Sequence, residues 1–150
     1  MPDVLTREQR HLNMSRIRAK NTKPEMLVRR GLHARGFRYR LHQRRLPGCP
    51  DLVFSHFKAV VFVHGCFWHG HECHLFKAPE TRTAFWLKKI SGNRERDKRA
   101  FEALREQEWR VLTVWECALR GSGRPHLKKI LRRVESFLEG TRKTLDLTGS

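Results

Sequence analysis

Residues 51–63 read Asp51-Leu52-Val53-Phe54-Ser55-His56-Phe57-Lys58-Ala59-Val60-Val61-Phe62-Val63, and the fold can be read outward from them. Ala59 to Val63 is continuously apolar and rich in β-branched residues, as a central strand buried on both faces requires. Asp51 to Phe54 is a shorter strand with an acid at its start, entered through the turn Leu46-Pro47-Gly48-Cys49-Pro50. Upstream the period is two: Phe37, Tyr39 and Leu41 alternate with Arg38, Arg40 and His42, which predicts a half-buried strand. These strands are expected to pair as an antiparallel meander.

Helix signals surround the meander. Thr6-Arg7-Glu8-Gln9 has capping-box spacing and opens a basic helix to about Lys20. Thr22-Lys23-Pro24-Glu25 repeats the signal with a proline in the first turn, and its helix carries Met26, Leu27 and Leu32 to a stop near Gly36. The chain from Thr81 to about Gln107 is expected to be helical, with a break at Ser91-Gly92-Asn93 and with Ala100, Phe101 and Leu104 facing inward. Val111, Leu112, Val114 and Trp115 form another strand. Pro125 begins a last helix on which Leu127, Ile130, Leu131, Val134 and Phe137 keep amphipathic spacing, and residues 141–150 read as a polar, frayed tail. The order predicts a mixed α/β sheet flanked by helices, in one domain over residues 1–150.

A chain of 150 residues builds one hydrophobic core rather than two ordinary domains. Its 39% hydrophobic and 31% charged residues are a globular balance. The charge is lopsided: 32 Lys and Arg against 15 Asp and Glu leave +17. Such a surface attracts polyanions, because each cation that neutralises a phosphate releases a condensed counterion. The first residues lack the basic and apolar regions of a signal peptide, and no apolar run has the ~18 residues of a membrane span. The four cysteines are therefore expected in a reducing cytoplasm, where thiols serve metals more often than disulfides.

The densest chemistry is Gly65-Cys66-Phe67-Trp68-His69-Gly70-His71-Glu72-Cys73-His74. Zinc takes four N or S ligands in a tetrahedron, and Cys66, His71, Cys73 and Cys117 make a Cys3His set in which Cys117 ties a late strand to this loop. On spacing alone His69 and His74 compete for the histidine place. A zincin would need His-Glu-x-x-His, and a nucleobase deaminase His-x-Glu with Pro-Cys-x-x-Cys; neither is present. With four protein ligands the zinc is structural, so the catalyst must be elsewhere.

Phosphodiester hydrolysis needs an oxygen ligand for Mg²⁺, a proton carrier and charge stabilisation at phosphorus. Asp51, at the mouth of its strand, is the best metal-ligand candidate, although a plain turn acid is the commoner use of that position. His64 and His69 flank the zinc loop as proton carriers or phosphate contacts. Glu25 reads locally as a capping-box acid, and Asp97 in Arg94-Glu95-Arg96-Asp97-Lys98-Arg99 as a solvated helix face unless the fold turns it toward His69. Phe67 and Trp68, in a ligand-bearing loop, are not expected to be buried together and suit a wedge between base pairs. Trp86 is a third wedge or a core residue. The basic first helix, with Arg16, Arg18 and Lys20, can lie along phosphates and bring Met14 to the minor groove.

The stretch from His64 to Cys73 closely resembles the very short patch repair (Vsr) endonucleases, as do Leu75-Phe76-Lys77, Thr81-Arg82-Thr83, Phe85-Trp86 and Val114-Trp115-Glu116-Cys117-Ala118-Leu119-Arg120-Gly121. Asn13-Met14-Ser15, Glu25, Leu46-Pro47-Gly48, Pro50-Asp51 and Asn93-Arg94-Glu95-Arg96-Asp97 fit the same pattern. The resemblance runs from about residue 10 to residue 121 and implies a restriction-endonuclease-like fold. It implies a bacterial enzyme, cytoplasmic and nucleoid-associated, that cuts 5′ of the T in a T·G mismatch left by deaminated 5-methylcytosine. By the same resemblance Asp51 is the Mg²⁺ ligand, joined by the main-chain carbonyl of Val63, where the family often has Thr. His69 is the general base or its partner, with Asp97 orienting it, and Glu25 and His64 hold metal-bound waters or phosphate. Cys66, His71, Cys73 and Cys117 match the zinc ligands, which decides against His74. Phe67, Trp68 and Trp86 match the intercalating aromatics and Met14 the minor-groove contact.

The expected substrate is double-stranded DNA with a T·G mismatch, nicked to leave a 5′-phosphate by a monomer that other repair proteins follow. The alternative is a non-catalytic zinc-containing DNA-binding module, which binds without Mg²⁺-dependent cleavage. A restriction enzyme of the same fold would cut both strands of matched duplex, and the aromatic wedge argues against it.

Overall fold

The computed structural model describes residues 21–73, 76–78, 80–120 and 125–149. The basic helix expected before Lys20, with Met14, lies outside the described residues, as do His74, Leu75 and Gly121. Five strands form one sheet: β1 (Arg40–Leu41), β2 (Leu52–Phe54), β3 (Ala59–His64), β4 (Arg110–Trp115) and β5 (Thr144–Leu147), in that spatial order. β1, β2 and β3 are antiparallel neighbours, as the alternation and turns predict, while β3–β4 and β4–β5 are parallel. Each parallel pair is bridged by a helix, because a parallel return needs a long crossover. Helix α2 (Thr83–Glu106) links β3 to β4 and α3 (Leu127–Glu139) links β4 to β5, with α1 (Lys23–Ala34) preceding the sheet.

The period-two rule sorts the strand residues onto two faces. Leu52, Phe54, Ala59, Val61, Leu112, Val114 and Leu147 pack against Val28 and Leu32 of α1 and Ile130, Val134 and Phe137 of α3. Each such side chain fully removed from water contributes about 1.5–3 kcal/mol, so this face dominates the stability. Val53, Val60, Phe62 and Val111 form a smaller second layer with Leu104 of α2. Among the described residues no helix is long and apolar enough to cross a membrane.

Three expectations change. Helix α2 runs unbroken through Ser91-Gly92-Asn93. Asn93, a weak helix former, is 5% exposed and its Nδ2 donates to the Trp68 carbonyl at 2.9 Å, so a tertiary bond replaces the anticipated break. Phe101 is 39% exposed rather than packed inward. The tail expected to fray instead adds β5, with Leu147 fully buried. Arg110 explains how the chain returns there. Its guanidinium donates to the carbonyls of Phe137 at 2.6 Å and Leu138 at 2.8 Å, satisfying the end of α3, and to that of Arg142 at 3.2 Å.

Candidate active site and metal centre

The sequence-predicted residues gather where β3 and β4 end, the usual place for ligands in sheets with parallel strands. β3 delivers His64 and β4 delivers Trp115 side by side. The loop after β3 then doubles back: His69 N–H donates to Gly65 O and His71 N–H to Cys66 O. Gly70 has φ of +61°, and a Cβ there would stand 2.8 Å from Ile90 of α2. That turn sends His69 to one group of side chains and His71 to another.

On one side His71 joins Cys66, Cys73 and Cys117, all donor atoms lying within 4.8 Å of one another. His71 Nδ1 is 3.5 Å from Cys66 Sγ and 3.6 Å from Cys117 Sγ. Bond lengths of zinc to sulfur and nitrogen set a tetrahedral S···N edge of about 3.6 Å, so these atoms stand as one ion would hold them. Burial pushes the Cys66 and Cys117 thiols above their usual range, so closely packed thiolates need a cation to offset their charge. Burial also lowers the pKa of His71, which favours the neutral ring a metal requires. The Gly149 N–H donates to Cys117 Sγ at 3.3 Å, so the tail that carries β5 helps orient this thiol.

On the other side His69 Nδ1 meets Asp97 Oδ2 at 2.5 Å, so α2 does turn Asp97 toward His69. The ring of His69 stacks on His64 at 3.8 Å and 6°. Burial holds His64 well below the usual histidine range, with the charge of His69 adding to the effect, so His64 stays neutral. Trp115 touches both groups: it stacks on His71 at 4.2 Å and meets the edge of His64 at 5.3 Å. His64 Nδ1 and Trp115 Nε1 are buried without a hydrogen-bond partner, and both side chains line a 480 Å³ cavity between α2 and β5.

Asp51 stands one strand away. Its Oδ2 accepts from the Val63 N–H at 2.7 Å, which ties the acid to the residue preceding His64. Glu25 is 2% exposed, and its carboxylate turns away from a capping-box role toward His42 Nε2 at 2.9 Å and Arg29 at 2.9 Å. Only half of the capping box forms, through Glu25 N–H to Thr22 Oγ1 at 3.4 Å. Glu25, His42 and Asp51 lie together as a possible ion-binding group, beside the Cys3His set and the group of His64, His69 and Asp97. Burial, with Glu25 adding to it, pushes the Asp51 carboxyl up to about 7 despite the Val63 N–H.

An acid whose pKa rises from 3.8 unfolded to about 7 folded costs stability progressively across that interval, and the cost is constant above it. In chelator-treated buffer Asp51→Asn should therefore melt above the parent protein, with a gap that opens from about pH 4 to about pH 7. Melting curves across that range check it; a gap independent of pH refutes it.

Sequence reasoning missed His42, Arg29 and Trp115. The alternation assigned His42 to the solvent face with Arg38 and Arg40, but its φ of +46° swings it inward. Trp115 read only as a strand residue. The aromatics do cluster: Phe67 lies 5.1 Å from Trp68 and 6.2 Å from Trp86, and Trp68 lies 5.9 Å from Trp86. They are not equivalent, however. Trp68 is 6% exposed, whereas Phe67 and Trp86 are half-buried and Phe85 and Leu87 beside them are exposed.

A charge of +17 suits a polyanionic partner, and the grouped carboxylates, imidazoles and thiols are of the kinds that hold metal ions. The family profile of DNA mismatch endonuclease Vsr matches residues 2–75. Type II nicking enzyme V.XorIIP of Xanthomonas oryzae is 49% identical over 123 residues, covering 82% of this chain and 90% of that protein. DNA mismatch endonuclease Vsr of Escherichia coli is 43% identical over 151 residues, 99% of this chain and 97% of its own. Type II nicking enzyme V.NmeAIP of Neisseria meningitidis is 43% identical, over 90% of this chain and 98% of its own. This chain belongs to the Vsr family of DNA mismatch endonucleases.

Proposed function

We propose that this protein nicks one strand of duplex DNA at a mismatch, on the 5′ side of the T in a T·G pair, and so starts very short patch repair. The observation that carries the reading is a pair of groups at the end of β3, His64, His69 and Asp97 in one and Asp51, bonded to the Val63 N–H, in the other, next to an aromatic loop on a chain of charge +17. The relatives named for mismatch cleavage and nicking give the reaction class.

In this reading Asp51 and the Val63 carbonyl hold a divalent cation, with Glu25 beside them. Mg²⁺ is the first candidate for oxygen donors; when bound, it supplies charge neutralisation at the phosphate and a more acidic water. The chain's own groups do the rest. Asp97 fixes the ring of His69 through Nδ1, leaving Nε2 to take the proton of the attacking water, and the product keeps a 5′-phosphate. His64, neutral and stacked beneath His69, limits the ring's swing. Zinc in the Cys3His set holds the loop that carries His69. Phe67 and Trp86, with the exposed Phe85 and Leu87, form the wedge edge, and Trp68 buttresses it from the core. Unstacking costs least at a weakly stacked T·G pair, which contributes to selectivity. The protein acts as a monomer on DNA in the bacterial cytoplasm, and Met14 serves the minor groove. Other repair proteins take the nick onward.

The test uses end-labelled duplexes with Mg²⁺, one carrying a single T·G mismatch and one fully paired. A nick beside the T that EDTA abolishes and the paired control lacks is expected. Tight binding of both duplexes without a cut moves the assignment to a zinc-containing binding module.

A further prediction tests the positioning of His69. Asp97→Asn should slow nicking at saturating DNA by about a hundredfold or more, as loss of an oriented base does. Duplex affinity and bound zinc should stay as in the parent. An unchanged single-turnover rate removes Asp97 from the mechanism.

A further inference from the structure

The group formed by Glu25, His42 and Asp51 has a feature that an oxygen-only magnesium site lacks. His42 Nε2 stands 2.9 Å and 3.1 Å from the two Glu25 carboxylate oxygens and 3.9 Å from Asp51 Oδ1. All three residues offer a donor atom within 4.8 Å of the others. For bond lengths of about 2.1 Å, neighbouring ligands of an octahedral ion lie about 3.0 Å apart and opposite ones about 4.2 Å. The observed separations fall within that range. The local backbone assembles the group: the His42 N–H donates to the Asp51 carbonyl at 3.1 Å, so strand pairing places ring and acid at one edge. Arg29 also meets Glu25 Oε2 at 2.9 Å, which leaves Oε1 to His42 and the cation.

We infer that His42 is a ligand of the cation held by Asp51, and that its nitrogen tunes the site toward first-row transition ions such as Mn²⁺ over Mg²⁺. The physical reason is donor chemistry. An imidazole nitrogen binds the later divalent ions more strongly, whereas Mg²⁺ sheds its waters reluctantly and favours oxygen. The alternative is that His42 only orients Glu25 by a hydrogen bond. The inference rests on the reading of Asp51 as cation ligand, and the experiment separates the two.

Zinc-loaded protein is titrated with Mn²⁺ and with Mg²⁺ by calorimetry, alone and with bound fully paired duplex, as the parent and as His42→Gln and Asp51→Asn. Gln keeps an N–H donor for Glu25 and removes the imidazole. The parent should bind Mn²⁺ about tenfold or more tighter than Mg²⁺, and His42→Gln should lose about tenfold in Mn²⁺ affinity with Mg²⁺ affinity little changed. Pulsed EPR of the Mn²⁺-bound parent should show a coordinated nitrogen that ¹⁵N-histidine labelling shifts and His42→Gln removes. This readout needs no turnover and does not depend on the variant's activity. Parental Mn²⁺ affinity in His42→Gln, or no nitrogen coupling in the parent, overturns the inference while leaving Asp51 in place. Parental Mn²⁺ affinity in Asp51→Asn overturns the reading of Asp51 itself. No Mn²⁺ binding by the parent in either state overturns both.

Discussion

Asp51→Ala is expected to cut the single-turnover nicking rate by about a thousandfold or more, while a T·G duplex still binds. The magnitude follows from what is lost. A cation at the reacting phosphate supplies several kcal/mol of transition-state stabilisation, and about 4 kcal/mol corresponds to three decades in rate. Binding should survive because affinity comes from the Lys and Arg that give the chain its +17, and Asp51 is not one of them. Removing an acid from a basic surface should tighten binding slightly. The Val63 N–H loses its 2.7 Å partner, which offsets part of the stability gained by removing a buried acid, and melting curves separate either change from the kinetic effect. Rate by denaturing gel and affinity by fluorescence anisotropy decide the matter. A parental rate with retained zinc would mean that the cation sits elsewhere.

The second large effect concerns structure. Cys117→Ser should release the zinc and lower the melting temperature by about 10–20 °C, the equivalent of some 5 kcal/mol in a chain of this size. The position explains the size. Cys117 follows β4 directly, Cys66 follows β3, and Gly149 follows β5, so one buried thiol gathers the ends of three adjacent strands. The same ion would take His71, which stacks on Trp115, and Trp115 in turn meets the His64 ring, so losing that ion should loosen the floor beneath His69. Nicking should therefore fall with the melting temperature. Cys49→Ser is the control. Cys49 is half-buried outside the thiol group, and its substitution should change stability by about 0.5 kcal/mol or less. Equal melting temperatures and equal zinc content for Cys117→Ser and the parent would sink the assignment.

Much of this was legible in the residues. The run Ala59 to Val63 became β3, β2 followed the Pro-Gly turn and paired with it antiparallel, the alternating stretch 37–42 kept only Arg40–Leu41 as strand, and α3 kept its predicted apolar face. The four zinc-ligand candidates converge although Cys117 stands far along the chain, and Asp97 meets His69 across 28 positions. What was misread shares one cause. Local propensity alone makes Asn93 a helix break, His42 a solvent-facing residue and the polar tail a frayed end. In each case a distant group reverses it: the Trp68 carbonyl claims Asn93, Glu25 claims His42, and the edge of β4 claims residues 144–147.

The polyanion-seeking charge, most of the strand and helix content and the chemical kinds of ligand available are written in the residues alone, because these depend on side-chain type and on spacings shorter than one element. Only the tertiary structure decided which acid faces which histidine, that Trp115 lies between the two histidine groups, and that His42 joins Glu25 and Asp51. Those are contacts between elements, set by sheet register and crossover, and no periodicity along the chain encodes them.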